Sequence, residues 1–178
     1  NATGIGTITN NDSAIVSISS PSVLEGNSGT TIMTFTVSID KPVDVAVSAT
    51  SNTADGTISP ASTADNDYLA NLGGTVTFGA GSTTSQTVNV IVNGDIKAEP
   101  NEQLRLILSA LSAGGRSVKF TGLSSTLTGT GTILNDDYYY SLIALNPTLS
   151  GALSISGNAT INVGGMVVVN SSHSSALS

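Results

Sequence analysis

The sequence predicts an all-β fold, a two-sheet antiparallel sandwich of about seven strands. Three observations predict it. Apolar residues recur every second position in short runs, the period of a strand with one wet face. Turn formers separate those runs, with 19 glycines among 178 residues. Charged residues are only 10% of the chain, and helix-period segments are almost absent.

The elements follow in order. Ala14-Ile15-Val16-Ser17-Ile18-Ser19 alternates and is stopped by Pro21. Glu25-Gly26-Asn27-Ser28-Gly29 makes a turn. Met33, Phe35, Val37 and Ile39 share one face of the next strand while Thr34, Thr36 and Ser38 share the other. After Lys41-Pro42, the residues Val43, Val45, Val47 and Ala49 repeat the pattern. The Ser/Thr/Ala/Asp-rich stretch from Thr50 to Asn66 reads as an irregular connection, long enough to be functional or mobile. Val76 and Phe78, the turn Gly79-Ala80-Gly81-Ser82, and Val88, Val90 and Val92 read as a hairpin. Leu104, Leu106 and Leu108 form a strand, and a glycine-containing excursion over 113–116 leads to a last strand from Leu127 to Leu134.

An internal repeat divides the chain. Thr3-Gly4-Ile5-Gly6-Thr7-Ile8-Thr9-Asn10-Asn11-Asp12 returns 125 residues later as Thr128-Gly129-Thr130-Gly131-Thr132-Ile133-Leu134-Asn135-Asp136-Asp137, identical at seven positions of ten. The same element ending two successive units predicts that residues 1–12 are the last strand of a preceding copy and 13–137 a full unit. A start at Asn1 and a stop in mid-pattern predict a piece of a longer protein. Residues 138–178 contain no Asp, Glu, Lys or Arg, and Ser150-x-Ala152-Leu153-Ser154 recurs 24 residues later as Ser174-x-Ala176-Leu177-Ser178. Two readings fit that tail: the first coils of a truncated β-solenoid, and a Ser-rich linker.

Composition narrows function. Five Lys and Arg against 12 Asp and Glu give a formal charge of −7, which argues against nucleic-acid and anionic-membrane partners and favours a divalent cation. With no cysteine, oxygen ligands remain. No apolar run reaches the roughly 18 residues of a spanning helix, so no direct membrane insertion is expected. The single histidine, His173, rules out a His-based zinc site and leaves a Ser-His-Asp triad dependent on one tail residue. Asp65-Asn66-Asp67 lacks the glycine and terminal glutamate of an EF-hand loop. Absence of Trp, with aromatics at 4%, leaves little platform for a sugar between paired carboxylates.

The chemistry concentrates in Gly94-Asp95-Ile96-Lys97-Ala98-Glu99-Pro100-Asn101-Glu102, where three carboxylates fall within one connection between strands. Crowded carboxylates repel unless a positive charge sits among them, so this loop asks for a hard cation. The competing reading is a set of solvated turn acids.

Leu24-Glu25-Gly26-Asn27-Ser28-Gly29, Asn66-Asp67-Tyr68, Phe78-Gly79-Ala80-Gly81, Gly94-Asp95 with Glu99-Pro100-Asn101-Glu102, and Gly131-Thr132-Ile133-Leu134-Asn135-Asp136-Asp137, in that order, resemble the Calx-β family. The resemblance implies an immunoglobulin-like sandwich binding Ca²⁺ at one end. It also implies the ligands: Glu25, Asp67, Asp95, Glu99, Glu102, Asp136 and Asp137 through carboxylates, and Lys97 through its backbone carbonyl. Gly94 and Asn135 stand where the densest calcium binders of the family have further carboxylates, so fewer ions or weaker sites are expected. In a Greek-key sandwich those turns can share one end, gathering seven of the 12 acids.

The expected function is therefore a non-catalytic, calcium-rigidified spacer or adhesion unit of a large extracellular or cell-surface protein. Its expected partners are neighbouring repeats of the same chain and an unidentified surface or matrix protein. The alternative is an accessory module of an exported enzyme whose catalytic domain lies elsewhere.

Overall fold

A computed structural model describes residues 3–6, 13–138, 140–144, 147–148, 150, 153 and 166–174. Two compact units divide the chain. One comprises Asn1–Asp95 with Pro100–Asn135, the other Ile96–Glu99 with Asp136–Ser178.

The first unit is the all-β sandwich. Its strands are β1 (Ser13–Ile18), β2 (Ser22–Leu24), β3 (Thr30–Ile39), β4 (Val47–Asp55), β5 (Gly74–Phe78), β6 (Gln86–Asn93), β7 (Glu102–Ser112), β8 (Ser117–Phe120) and β9 (Leu127–Leu134). Four strands form one sheet in the order β6-β3-β1-β8, and five form the other in the order β2-β9-β7-β4-β5. The period-two residues fill the space between the sheets: Met33, Phe35, Val37, Val90 and Val92 from one, Leu104, Leu106 and Leu108 from the other, none more than 1% exposed. Burying a side chain of this kind is worth about 1.5–3 kcal/mol.

The repeated Thr-Gly motif has a packing reason. Along β9 the threonines point outward and the glycines inward, with Gly131 opposite Leu104 and Gly129 opposite Leu106 on β7. A Cβ on Gly131 would lie 2.2 Å from Met33 Sδ and 2.9 Å from Phe35 Cζ, so the missing side chain makes room for β3 leaning in from the facing sheet.

The expected sandwich is present, with nine strands where about seven were expected and with two of its pairings parallel. The run read before Pro21 is β1, and beyond that proline lies β2, a three-residue strand that the sequence did not announce. β1 lies antiparallel to β3 and parallel to β8, whereas β2 joins the opposite sheet parallel to β9, with Leu24 opposite Leu134. Proline has no N–H for a ladder and sits at the switch, while its carbonyl accepts from Thr132 N–H. β8 went unread because it is four residues long.

Two further readings are corrected. The strand expected from Val43 begins only at Val47 and continues through Asp55, into the stretch expected to be irregular. Its inward positions there are Ser51 and Thr53, buried but polar, which hid the alternation. The hairpin across 79–82 is absent: β5 pairs with β4 and β6 with β3, so that turn crosses between sheets.

In the second unit β10 (Tyr140–Ala144) and β11 (Met166–Val169) pair in parallel, Leu142 opposite Val167 and Ala144 opposite Val169. The solenoid reading of 138–178 falls largely outside the described residues. So does the preceding-repeat strand read in 1–12, of which only 3–6 are described.

Candidate metal centre

Strand direction sorts the acidic residues of the first unit by end. β2, β6 and β9 finish, and β3 and β7 begin, at the same end: Thr30 is paired with Asn93, Glu102 with Ile133, and Leu24 with Leu134. Glu25 follows β2, Asp95 follows β6 by two residues, and Glu102 opens β7. Asp67 joins them because its segment runs beside the end of β6: its carbonyl accepts from Asn93 N–H at 2.9 Å, and Tyr68 bridges Val92.

The close pair is Asp67 with Glu102, which offer carboxylate oxygens within 4.8 Å of each other. Asp67 is 6% exposed, and its Oδ2 accepts from Ser62 N–H at 2.7 Å. Two like charges at such a separation repel by roughly 3–4 kcal/mol at an effective dielectric of about 20, which a divalent cation between them would reverse in sign. Oxygen donors alone, without sulfur or imidazole, suit Ca²⁺ or Mg²⁺ rather than zinc.

Glu25 is 5% exposed. Its N–H donates to Leu134 O at 3.2 Å, and its carbonyl accepts from Thr31 Oγ1 at 3.2 Å. The start of the 94–101 connection is pressed against this turn. Gly94 N–H donates to Gly29 O at 3.0 Å, and a Cβ at position 94 would stand 2.2 Å from Gly26 O and 2.7 Å from Glu25 O. The further carboxylate that the resemblance associates with this position thus has no room here. At the other expected departure, Asn135 N–H donates to Asn101 Oδ1 at 3.1 Å, closing β9 against the residue before Glu102.

The remaining residues of the expected set belong to the second unit. Asp136 is half-buried and Asp137 buried. Glu99 is ion-paired with the Lys97 ammonium, the glutamate side chain 11% exposed and the lysine 63%.

The opposite end of the sandwich carries acids of a different kind. Asp40 Oδ1 accepts from Ile15 N–H at 2.6 Å. Asp44 takes both forks of Arg116, each at 2.6 Å, and this hydrogen bonding to the guanidinium holds its carboxyl below the usual range. These acids are satisfied locally and lie away from the Glu25 end.

One contributor escaped the sequence reading. Tyr68, 2% exposed, donates to Asp55 Oδ1 at 2.7 Å. Burial, then this hydrogen bond to a carboxylate, push the phenol's pKa well above its ordinary value. Asp55 closes β4, within a stretch read as irregular, so no sequence signal marked it.

A sequence model of the Calx-beta domain matches residues 9–137. Among solved structures, the apo-form Calx CBD1 domain is 20% identical with a TM-score of 0.54, the match covering 70% of this chain and 98% of that one. CBD12 from CALX1.2 is 21% identical with a TM-score of 0.55, covering 72% of this chain and 49% of that one. The calcium binding domain CBD12 of CALX1.1 is 20% identical with a TM-score of 0.54, covering 75% of this chain and 49% of that one. The chain thus spans about half the length of both CBD12 structures. No curated protein matches the chain in sequence.

The close approach at Gly94 yields a test. Gly94→Ala should destabilise the fold by about 1–3 kcal/mol, as overpacking does. Gly79→Ala, with nothing within 4 Å of its added Cβ, should change stability by less than about 0.5 kcal/mol. Urea unfolding of both variants measures the difference, and equal midpoints would remove the contact's importance.

Proposed function

This chain belongs to the Calx-beta domain family, and on that premise we propose that its sandwich is a non-catalytic Ca²⁺-binding module. The observation that carries the reading is the buried Asp67 beside Glu102, their oxygens within 4.8 Å. The ligand set is Glu25, Asp67, Asp95, Glu99, Glu102, Asp136 and Asp137, with the Lys97 carbonyl. Family membership and the shared strand end of Glu25, Asp67, Asp95 and Glu102 support it. CBD12 of CALX1.1, one of the similar structures, is named as a calcium binding domain, and calcium suits all-oxygen donors better than magnesium, an ion demanding tight octahedral geometry. The Lys97 ammonium, paired with Glu99, has to leave that carboxylate when the ion enters and so weakens binding.

In its parent protein the module serves as a spacer or adhesion unit of an extracellular or surface chain, with neighbouring repeats as its first partners. The 125-residue repeat supports this, since Asn11-Asp12 aligns with Asp136-Asp137 at the end of the next unit. Coordination of acids at a unit's last residues would fix the chain's exit direction and stiffen a tandem array.

Two measurements test the two levels. Melting in millimolar calcium should exceed melting in chelator by the equivalent of about 2.7 kcal/mol once the ion is a hundredfold above its Kd. Asp67→Asn and Glu102→Gln should lose most of that gain, while Asp40→Asn and Asp44→Asn keep it. Coincident curves for the unaltered protein would count against the site. For the spacer role, small-angle scattering of a chain with two complete units should show a longer maximum dimension with calcium than without. An unchanged dimension would remove the rod while leaving the ion.

A further inference from the structure

Asp67 owes its position to a loop, residues 56–66, that could adopt many shapes if it were not tied down. Its backbone is strapped along the start of β7: Gln103 N–H donates to Ser59 O at 2.8 Å, and Ala61 N–H donates to Gln103 O at 2.9 Å. The loop then closes on itself through Asp67, whose N–H donates to Ser62 O at 3.1 Å while its Oδ2 accepts from Ser62 N–H at 2.7 Å. The last fastening is Tyr68. Its ring is buried and its hydroxyl reaches back across the loop to Asp55 Oδ1, the residue at which the loop leaves β4.

Asp55 is held from the other side as well. Its carbonyl accepts from Arg105 Nε at 2.9 Å, and the same Oδ1 accepts from Thr63 N–H at 3.3 Å. One exposed carboxylate therefore joins the first residue of the excursion to its middle and to its end, with β7 as the fixed wall. Adjacent residues share their backbone, so the hydrogen bond that sets the Tyr68 ring also sets Asp67. A cation site gains affinity from ligands already in place, because ordering them no longer has to accompany binding.

We propose that Asp55, acting through the Tyr68 hydroxyl, is a positioning residue that holds the Asp67 carboxylate ready for the cation. The proposal rests on the calcium reading above but assigns Asp55 no contact with the ion. It acts as a hydrogen-bond acceptor, so an amide in its place serves equally well and a methyl does not.

The test uses the full chain as wild type and as Asp55→Ala, Asp55→Asn and Tyr68→Phe. Calcium affinity is read by calorimetry, and exchange of the Ser62 amide by nuclear magnetic resonance in chelator. Loss of this part-buried hydrogen bond predicts about tenfold weaker calcium binding in Asp55→Ala and Tyr68→Phe. It also predicts clearly faster Ser62 exchange, and wild-type behaviour of Asp55→Asn in both readouts. Tyr68→Phe retains the buried ring, so it carries the test if Asp55→Ala fails to fold. Wild-type affinity in Tyr68→Phe overturns the proposal. So does an Asp55→Asn variant as weak as Asp55→Ala, since Asp55 would then act by charge. A wild type that takes up no calcium defeats the metal reading itself. Ser62 exchange alone then decides the positioning: faster in Asp55→Ala and Tyr68→Phe but not in Asp55→Asn supports it, and equal rates in all overturn it.

Discussion

A carboxylate taken out of water loses solvation worth several kcal/mol, and charge or well-placed donors must compensate it. Five polar residues are buried among the described residues, and three of them are carboxylates: Glu25, Asp67 and Asp137. Apart from Ser51 and Thr53 on β4, the sandwich interior is apolar, chiefly Val, Leu, Phe, Met and Ala. A cation placed among such carboxylates would offset part of that solvation cost. Asp40 and Asp44, at the end of the sandwich away from Glu25, are held by Ile15 N–H and Arg116.

The fold meets this demand through one break. Had β1 run on beyond Pro21 in its own sheet, the following turn would have stayed beside β3. The chain instead changes sheets, β2 lies parallel to β9, and Glu25 N–H reaches Leu134 O. Two segments 110 residues apart (Leu134 less Leu24) thus leave the sheet side by side and in the same direction, each continuing into acidic sequence. An antiparallel partner would have sent its chain out at the opposite end. The parallel pairing, uncommon next to antiparallel neighbours, is what the acidic end depends on.

Legibility in the sequence followed the hydrophobic alternation. Where inward positions are apolar, as in Met33–Ile39, Val88–Val92 and Leu104–Leu108, the strands were plain. Where they are Ser51 and Thr53, the strand was invisible, because buried polar residues carry no period-two signal. Which runs pair was harder still: 79–82 has a hairpin's turn chemistry, yet its flanking strands enter different sheets, and only the three-dimensional packing decides that. The acidic residues stand in the sequence as a family-ordered set, and four of them, Glu25, Asp67, Asp95 and Glu102, belong to the same strand end. Asp55 was not legible, because its importance lies in reaching Tyr68, a contact between positions with no shared pattern.

The two departures from the densest ligand pattern have different physical origins. At Gly94 the side chain is excluded by the backbone of Glu25 and Gly26, so the fold itself forbids a carboxylate unless the turn moves. At Asn135 the backbone N–H is taken by Asn101 Oδ1, which fixes the exit of β9 and says nothing against an acid in the side chain. The first departure is thus built into the packing, and the second is a choice of residue. On the calcium reading, a site missing both negative charges binds the ion more weakly than one with the fuller carboxylate set.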